Sequence, residues 1–292
     1  MNKRLTAKIM LILTAMIWGF AFVAQSTALN HISSFTFNGI RFFIGAISLI
    51  PVILIFERAN IKENFKTTVK YGIITGLVLC IASDLQQFSM VYMEIDSKAG
   101  FITGIYTVIV PIYGIFMKKK TSFNVWIGAF LALAGLYLVS VVGMEKLEIG
   151  DLICFMGSFF WALHIVVIDK FVDKVSPIMY SAVQFLTCAI VNIILMLVFE
   201  TDAFSMTNIL AAGTSILYAG VMSSGVAYTL QVLSQKNCGP TESAIIFSLE
   251  SVFACVGCMV ILGERMPPIS IFGCFLIFAG IILSQLNFNK KQ

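Results

Sequence analysis

Apolar residues run through this chain in long blocks, and polar residues gather at the breaks between them. An α-helix needs about 20 consecutive apolar residues to cross the hydrocarbon core of a bilayer. Charges, prolines and turn residues mark off ten such stretches: 9–29, 35–56, 71–92, 98–117, 123–142, 151–169, 177–199, 209–234, 241–262 and 268–287. The connections are short and leave no room for a separate soluble domain. The start of the chain, Met1 to Arg4 before an apolar run, has the outline of a signal peptide. The run is too long for that and more spans follow, so the first span is expected to be retained. The pattern therefore predicts an all-α, polytopic integral membrane protein of ten transmembrane helices, multi-pass in the cell membrane.

Charge gives this array an orientation. With the N-terminus placed in the cytoplasm, inner segments hold 15 of the 19 Lys and Arg residues, three fall outside (Lys98, Lys146, Arg265) and one, Arg41, lies in a helix. The excess of basic residues on cytoplasmic loops then predicts both termini in the cytoplasm. The formal net charge of +4 reflects this sorting and says nothing about a substrate.

Composition narrows the class further. Of the 292 residues, 59% are hydrophobic and 12% charged, against about 25% charged in soluble domains. That excludes a soluble enzyme, a nucleic-acid binder and a disordered chain. The seven cysteines sit almost entirely inside apolar runs and form no disulfide framework. Cys255 and Cys258 make a lone CxxC without further ligands, which reads as small apolar packing. No metal or other cofactor is expected.

The two halves carry a repeat. A shift of 145 residues aligns 71–140 with 216–285 without a gap, pairing Ala82 with Ala227, Leu85 with Leu230, Gln86 with Gln231, Ser89 with Ser234, Gly128 with Gly273 and Gly135 with Gly280, among others. A shift of 143 places Trp18 on Trp161. The halves are 1–142 and 151–292, each with five spans. An odd number of spans gives the copies opposite orientations, and inverted repeats are a mark of secondary transporters.

Three segments carry a resemblance that points the same way. LQQFSMVYMEIDSKAGFITGIYTVIVPIYG (85–114), FFWALHIVVIDKF (159–171) and SAIIFSLESVFACVGCMVILGER (243–265) are similar to repeat signatures of the drug/metabolite transporter superfamily, EamA-type family. The resemblance implies transport of small metabolites, often export, and does not fix the substrate. The family often has proline after the ninth-span glutamate, where this chain has Ser251; a less kinked ninth helix is the expectation.

Charged side chains at membrane depth cost at least about 2.5–3.5 kcal/mol and need a partner, a cavity or a function. There are three: Arg41, Asp84 and Glu250. A rise of about 1.5 Å per residue puts Arg41 and Asp84 at similar depth in the outer half, so a structural ion pair between them is expected; the alternative is a snorkelling Arg41 and an Asp84 facing a wet cavity. Glu250 falls near the midplane, where it either carries a coupling proton, binds a cationic group, or only hydrogen-bonds a neighbouring helix.

His164 shares a stripe with Gly157 and Trp161 and is either functional or bonded to a backbone carbonyl. With His31 as the only other histidine, a zinc site is not expected. Asp84 and Gln87, Tyr228 and Gln231, the strip Thr103, Tyr106 and Thr107 before Pro111, and Trp18 with Gln25 converge from different spans. They read as a cavity lining, against the alternative of interhelical hydrogen bonds. The glycines of spans five and ten predict tight helix packing, with a homodimer contact left open.

The leading expectation is a secondary active carrier, an exporter or exchanger, of small organic metabolites such as amino acids or amines by alternating access, with proton coupling open. The alternatives are a channel or a membrane-embedded enzyme, for which no catalytic motif is present.

Overall fold

The computed structural model describes residues 2–58, 61–93, 97–118, 121–140, 147–201, 205–262 and 267–286, without the side chains of 61–63, 97–98, 140, 255 and 258–262. The chain is helical throughout, with no strand among the described residues. Among the described residues eight helical stretches are long and apolar enough to cross a membrane, and Phe123–Val139 is a shorter apolar helix. Each of the ten expected spans holds helix. Several are divided, so that fifteen α-helices follow in chain order among the described residues.

The first half holds α1 (Lys3–Leu29), α2 (Ser34–Ser48), α3 (Ile50–Phe56), α4 (Ile61–Met90), α5 (Ser97–Gly104), α6 (Tyr106–Phe116) and α7 (Phe123–Ser140). The second holds α8 (Ile149–Phe171), α9 (Pro177–Phe199), α10 (Met206–Ala211), α11 (Gly213–Leu217), a π-helical stretch (Tyr218–Tyr228), α12 (Thr229–Gln235), α13 (Pro240–Phe247), α14 (Leu249–Leu262) and α15 (Pro268–Gln285).

Proline chemistry accounts for one division and marks several starts. Pro51 has no N–H to return to the Ile47 carbonyl, and its ring crowds that turn; the second span breaks at Leu49 just before it. Pro177, Pro240 and Pro268 open α9, α13 and α15, where a missing N–H loses nothing. The fourth span is divided at Ile105, with Pro111 inside the following α6. The ninth is divided at Ser248, whose hydroxyl bonds back to the Ile245 carbonyl at 2.5 Å. The ninth helix is thus interrupted by one residue without a proline at position 251.

The outer surface is apolar. Phe43, Ile47, Leu54, Ile55, Phe130, Phe275, Phe278 and Ile282 are exposed, while Thr14, Gln25, Asn38, Arg41, Gln87, His164, Gln184 and Gln231 are buried. A water-soluble fold has the reverse arrangement, and a helix bundle solvated by lipid has this one.

Two sets of contacts are exchanged between the halves. The Glu57 carboxylate accepts from the backbone N–H groups of Ile178 and Met179 at 2.9 and 2.8 Å, at the start of α9. Glu200 accepts from Phe35 and Thr36 at 3.0 and 2.8 Å, at the start of α2. All three pairs (57/200, 35/178, 36/179) are 143 residues apart. Each carboxylate thus satisfies orphan donors at the positive end of the other half's helix. Likewise α7 packs on α15, with Gly128 against Gly280 and Gly135 against Gly273. A shift of 145 carries one glycine contact onto the other. The glycine faces expected to pack tightly do so within one chain.

The Gly-Glu-Arg at 263–265 and Lys119, Lys120, Lys146, Arg265, Lys290 and Lys291 lie outside the described residues, as do the Cys255 and Cys258 side chains.

Candidate functional site

A cavity lies among α1, α2, α4, α5, α6, α8, the π-helical stretch, α12, α13 and α14. Its position depends on close backbone approach at one glycine. A Cβ on Gly19 would fall 2.6 Å from the Glu250 carbonyl oxygen, so only glycine lets α1 lie directly on α14 and bring Trp18 and Glu250 to one space.

The cavity wall is largely aromatic. Trp18 sits 4.7 Å from Tyr228 and 5.1 Å from Phe247 between ring centroids. Trp161 stacks on Tyr228 at 6.2 Å with 12° between planes. The π-helical stretch supplies one edge: its Ser223 carbonyl accepts from Trp18 Nε1 at 3.3 Å, and Tyr228 ends it. Wide π turns release backbone groups from the regular ladder and recur at functional sites. Gly45 allows α2 to press on this stretch, where a Cβ would meet Ser224 at 2.7 Å.

Polar groups enter between the rings. Gln86 donates to Thr103 Oγ1 at 2.9 Å, and Gln231 donates to Gln235 Oε1 at 3.0 Å. Gln25 Oε1, Trp161 Nε1, Gln231 Oε1, and Nε and Nη2 of Arg41 are buried with no protein hydrogen-bond partner among the described residues. Glu250 lines the same space and forms no ion pair there. Buried polar atoms in folded proteins nearly always have a partner, in the protein or in ordered water, so these donors and acceptors are free to engage what enters the cavity.

Of the residues expected from sequence, Trp18, Gln25, Thr103, Tyr106, Trp161, Tyr228, Gln231 and Glu250 line the cavity. The others stand elsewhere. His164 is buried behind the aromatic wall, with Nε2 2.9 Å from Gln184 Oε1 and its ring edge-on to Trp161 and Tyr228. Its partner is a side chain, so the expected backbone carbonyl bond is corrected. Thr107 donates to the Ala244 carbonyl at 3.3 Å, joining α6 to α13. Gln87 is fully buried outside the lining.

The expected ion pair between Arg41 and Asp84 is also corrected: the two form no salt bridge. Asp84 accepts from Asn38 Nδ2 at 2.7 Å, from Cys80 Sγ at 3.2 Å and from Asn192 Nδ2 at 3.4 Å, all of them neutral donors. Arg41 instead lies with its guanidinium carbon 4.6 Å from the Phe42 ring centroid and 5.2 Å from that of Phe37, and it lines the cavity. The side chain of α2 that reaches Asp84 is Asn38, three residues before Arg41. Gln86, Ser223 and Phe247 also line it. Gln86 was marked in the sequence by its repeat partner Gln231, while Phe247 and Ser223 carry no such signal. Among the described residues no cluster of His, Cys, Asp or Glu is placed to hold a metal ion.

Comparison with known proteins agrees with this architecture. An "Uncharacterized transporter" of Archaeoglobus fulgidus is 29% identical over 98% of this chain and 87% of its own length. The "Uncharacterized transporter YoaV" of Bacillus subtilis is 23% identical over 98% of this chain and 99% of its own. A solved crystal structure superposes with a TM-score of 0.80, covering 96% of both chains at 15% identity, and shares the fold. The EamA-like transporter family matches twice, over residues 5–141 and again over 148–286. With nearly the whole length accounted for by those two matches, the chain belongs to the EamA-like transporter family and is a multi-pass membrane transporter.

Proposed function

We propose that this protein is a secondary carrier for small organic metabolites, of the size and polarity of amino acids or amines, working by alternating access around the aromatic cavity. Ten helices cross the cell membrane as two inverted five-helix repeats, and both termini lie in the cytoplasm. The observation that carries the reading is the exchange of contacts between halves, Glu57 on α9 and Glu200 on α2, around a cavity that both halves line. Two equivalent halves that grip each other in the same way at both ends can rock between two conformations of similar energy. The aromatic rings receive the apolar part of a solute, and Gln25, Gln86, Gln231 and Glu250 meet its polar groups. Glu250 serves either as the site of a coupling proton or as the partner of a cationic group.

The test is counterflow in proteoliposomes. Purified protein is reconstituted, loaded with unlabelled amino acids or amines, and assayed for uptake of the labelled compound with and without a pH gradient. Saturable uptake accelerated by internal substrate supports the carrier. Single-channel conductance, or flux that does not saturate, opposes it.

A further inference from the structure

We infer that Arg41 is the anion receptor of the cavity, and that the solute this site takes carries a carboxylate. The inference rests on the carrier reading for its physiological meaning but concerns binding alone.

Three observations carry it. Arg41 is 2% exposed, and its Nε and Nη2 have no hydrogen-bond partner among the described residues. It lines the cavity together with Trp18, Trp161 and Tyr228. Its nearest acidic residue in the expected pairing, Asp84, is engaged by Asn38, Cys80 and Asn192 instead. A guanidinium presents donors in a rigid planar fork that matches a carboxylate through two parallel hydrogen bonds. Rings stacked on its face leave the donor edge for such a partner.

The repeat explains why this arginine is left open. The residue 143 positions on from Arg41 is Gln184, and the residue 143 on from Ala21 is His164. In the second half His164 bonds Gln184 at 2.9 Å and fills the space between α8 and α9. In the first half the corresponding pair is Ala21 and Arg41, and both line the cavity. A methyl group stands where an imidazole would have occupied the polar side chain across from it. The second half has closed this position with an internal hydrogen bond; the first has opened it and placed a cation there. The aromatic wall of Trp18, Tyr106, Trp161, Tyr228 and Phe247 favours an organic carboxylate over a small inorganic oxyanion.

The experiment uses the full-length protein in detergent and reads quenching of tryptophan fluorescence, since Trp18 and Trp161 flank the cavity. Probes are near-isosteric pairs: phenylacetate against phenylacetamide, and phenylalanine against phenylalaninamide, with inorganic phosphate and sulfate as separate arms. The expected result is that each carboxylate binds roughly tenfold or more tightly than its amide, a difference of about 1.4 kcal/mol. Arg41→Gln should bring carboxylate affinity down to that of the amide, and Arg41→Lys should keep part of the preference. The wild-type pairs decide the matter even where a variant does not fold. Equal affinity within each pair, failure of every carboxylate to bind, survival of the preference in a folded Arg41→Gln protein, or phosphate binding as tightly as phenylacetate would each overturn the inference. Carboxylate-selective binding without counterflow would count against the carrier and leave the receptor standing. Saturable counterflow of amines alone, unchanged by Arg41→Gln, would do the opposite.

Discussion

A histidine deep in a membrane protein invites a proton-carrying role, and the surroundings of His164 argue against one. Its Nε2 is bonded to Gln184 Oε1, it is 1% exposed, and Trp161 and Tyr228 stand between it and the cavity. Replacing it with alanine leaves the Gln184 oxygen buried without its partner, which costs about 1–3 kcal/mol. We expect His164→Ala to lower the thermal midpoint of purified protein while the pH profile of any remaining flux keeps its shape; a displaced profile would show that His164 titrates during transport. Glu250 is the reverse case, lining the cavity with no ion pair among the described residues. If it carries the coupling proton, Glu250→Gln should abolish uptake driven by a pH gradient and retain counterflow, which exchanges substrate without net proton movement. Loss of both activities together assigns Glu250 to the cationic group of the substrate instead.

At the scale of helices, the contact between α7 and α15 depends on four glycines. A Cβ on Gly128 would fall 2.6 Å from the Gly280 carbonyl oxygen, and backbone cannot yield as a flexible side chain does. Gly128→Ala must therefore push the helices apart, and overpacking of this kind costs about 1–3 kcal/mol. A thermal midpoint equal to that of the wild type would mean that the helices are not so closely opposed. The same close approach was visible in the sequence as repeated glycines, because small residues at helix spacing have few other uses in an apolar stretch. Division of the fourth and ninth spans at Ile105 and Ser248 was not visible there. Neither residue is a helix breaker by its own chemistry. The π-helical stretch was hidden too: its wider turn depends on contacts with α2 at Gly45 and with Trp18 on α1, none of them local in sequence.

For the molecule as a whole, the sequence carried the helical elements and the two-fold correspondence of the halves, since apolar length and residue identity are both local to the chain. The cavity was legible where repeat partners mark it, as at Trp18 with Trp161 and Gln86 with Gln231. It was illegible where side-chain direction decides, as at Arg41 and Asp84. A further departure from symmetry lies at the end of the bundle that carries the N-terminus. There Glu242, at the start of α13, pairs with Arg4 at 2.9 Å and Lys8 at 3.2 Å, and Lys8 also bonds Gln285 at the end of α15. One carboxylate thus ties α1 to α13, and one lysine extends the tie to α15. Each pair is partly exposed and contributes little stability alone. Under the carrier reading its consequence is directional: the cluster is expected to favour the conformation closed at this end, and the residue 145 positions before Glu242 is the uncharged Ser97. Glu242→Gln removes the charge that gathers both cations while keeping the size of the side chain. In a cysteine-less background, Ala7→Cys places a thiol on α1 at a site that is 2% exposed, within one turn of both basic residues. Maleimide labelling of that thiol should be several-fold faster in the Glu242→Gln protein, because the population opened at this end has grown. Unchanged labelling would mean that the cluster decorates a surface closed by α1 and α13 packing alone.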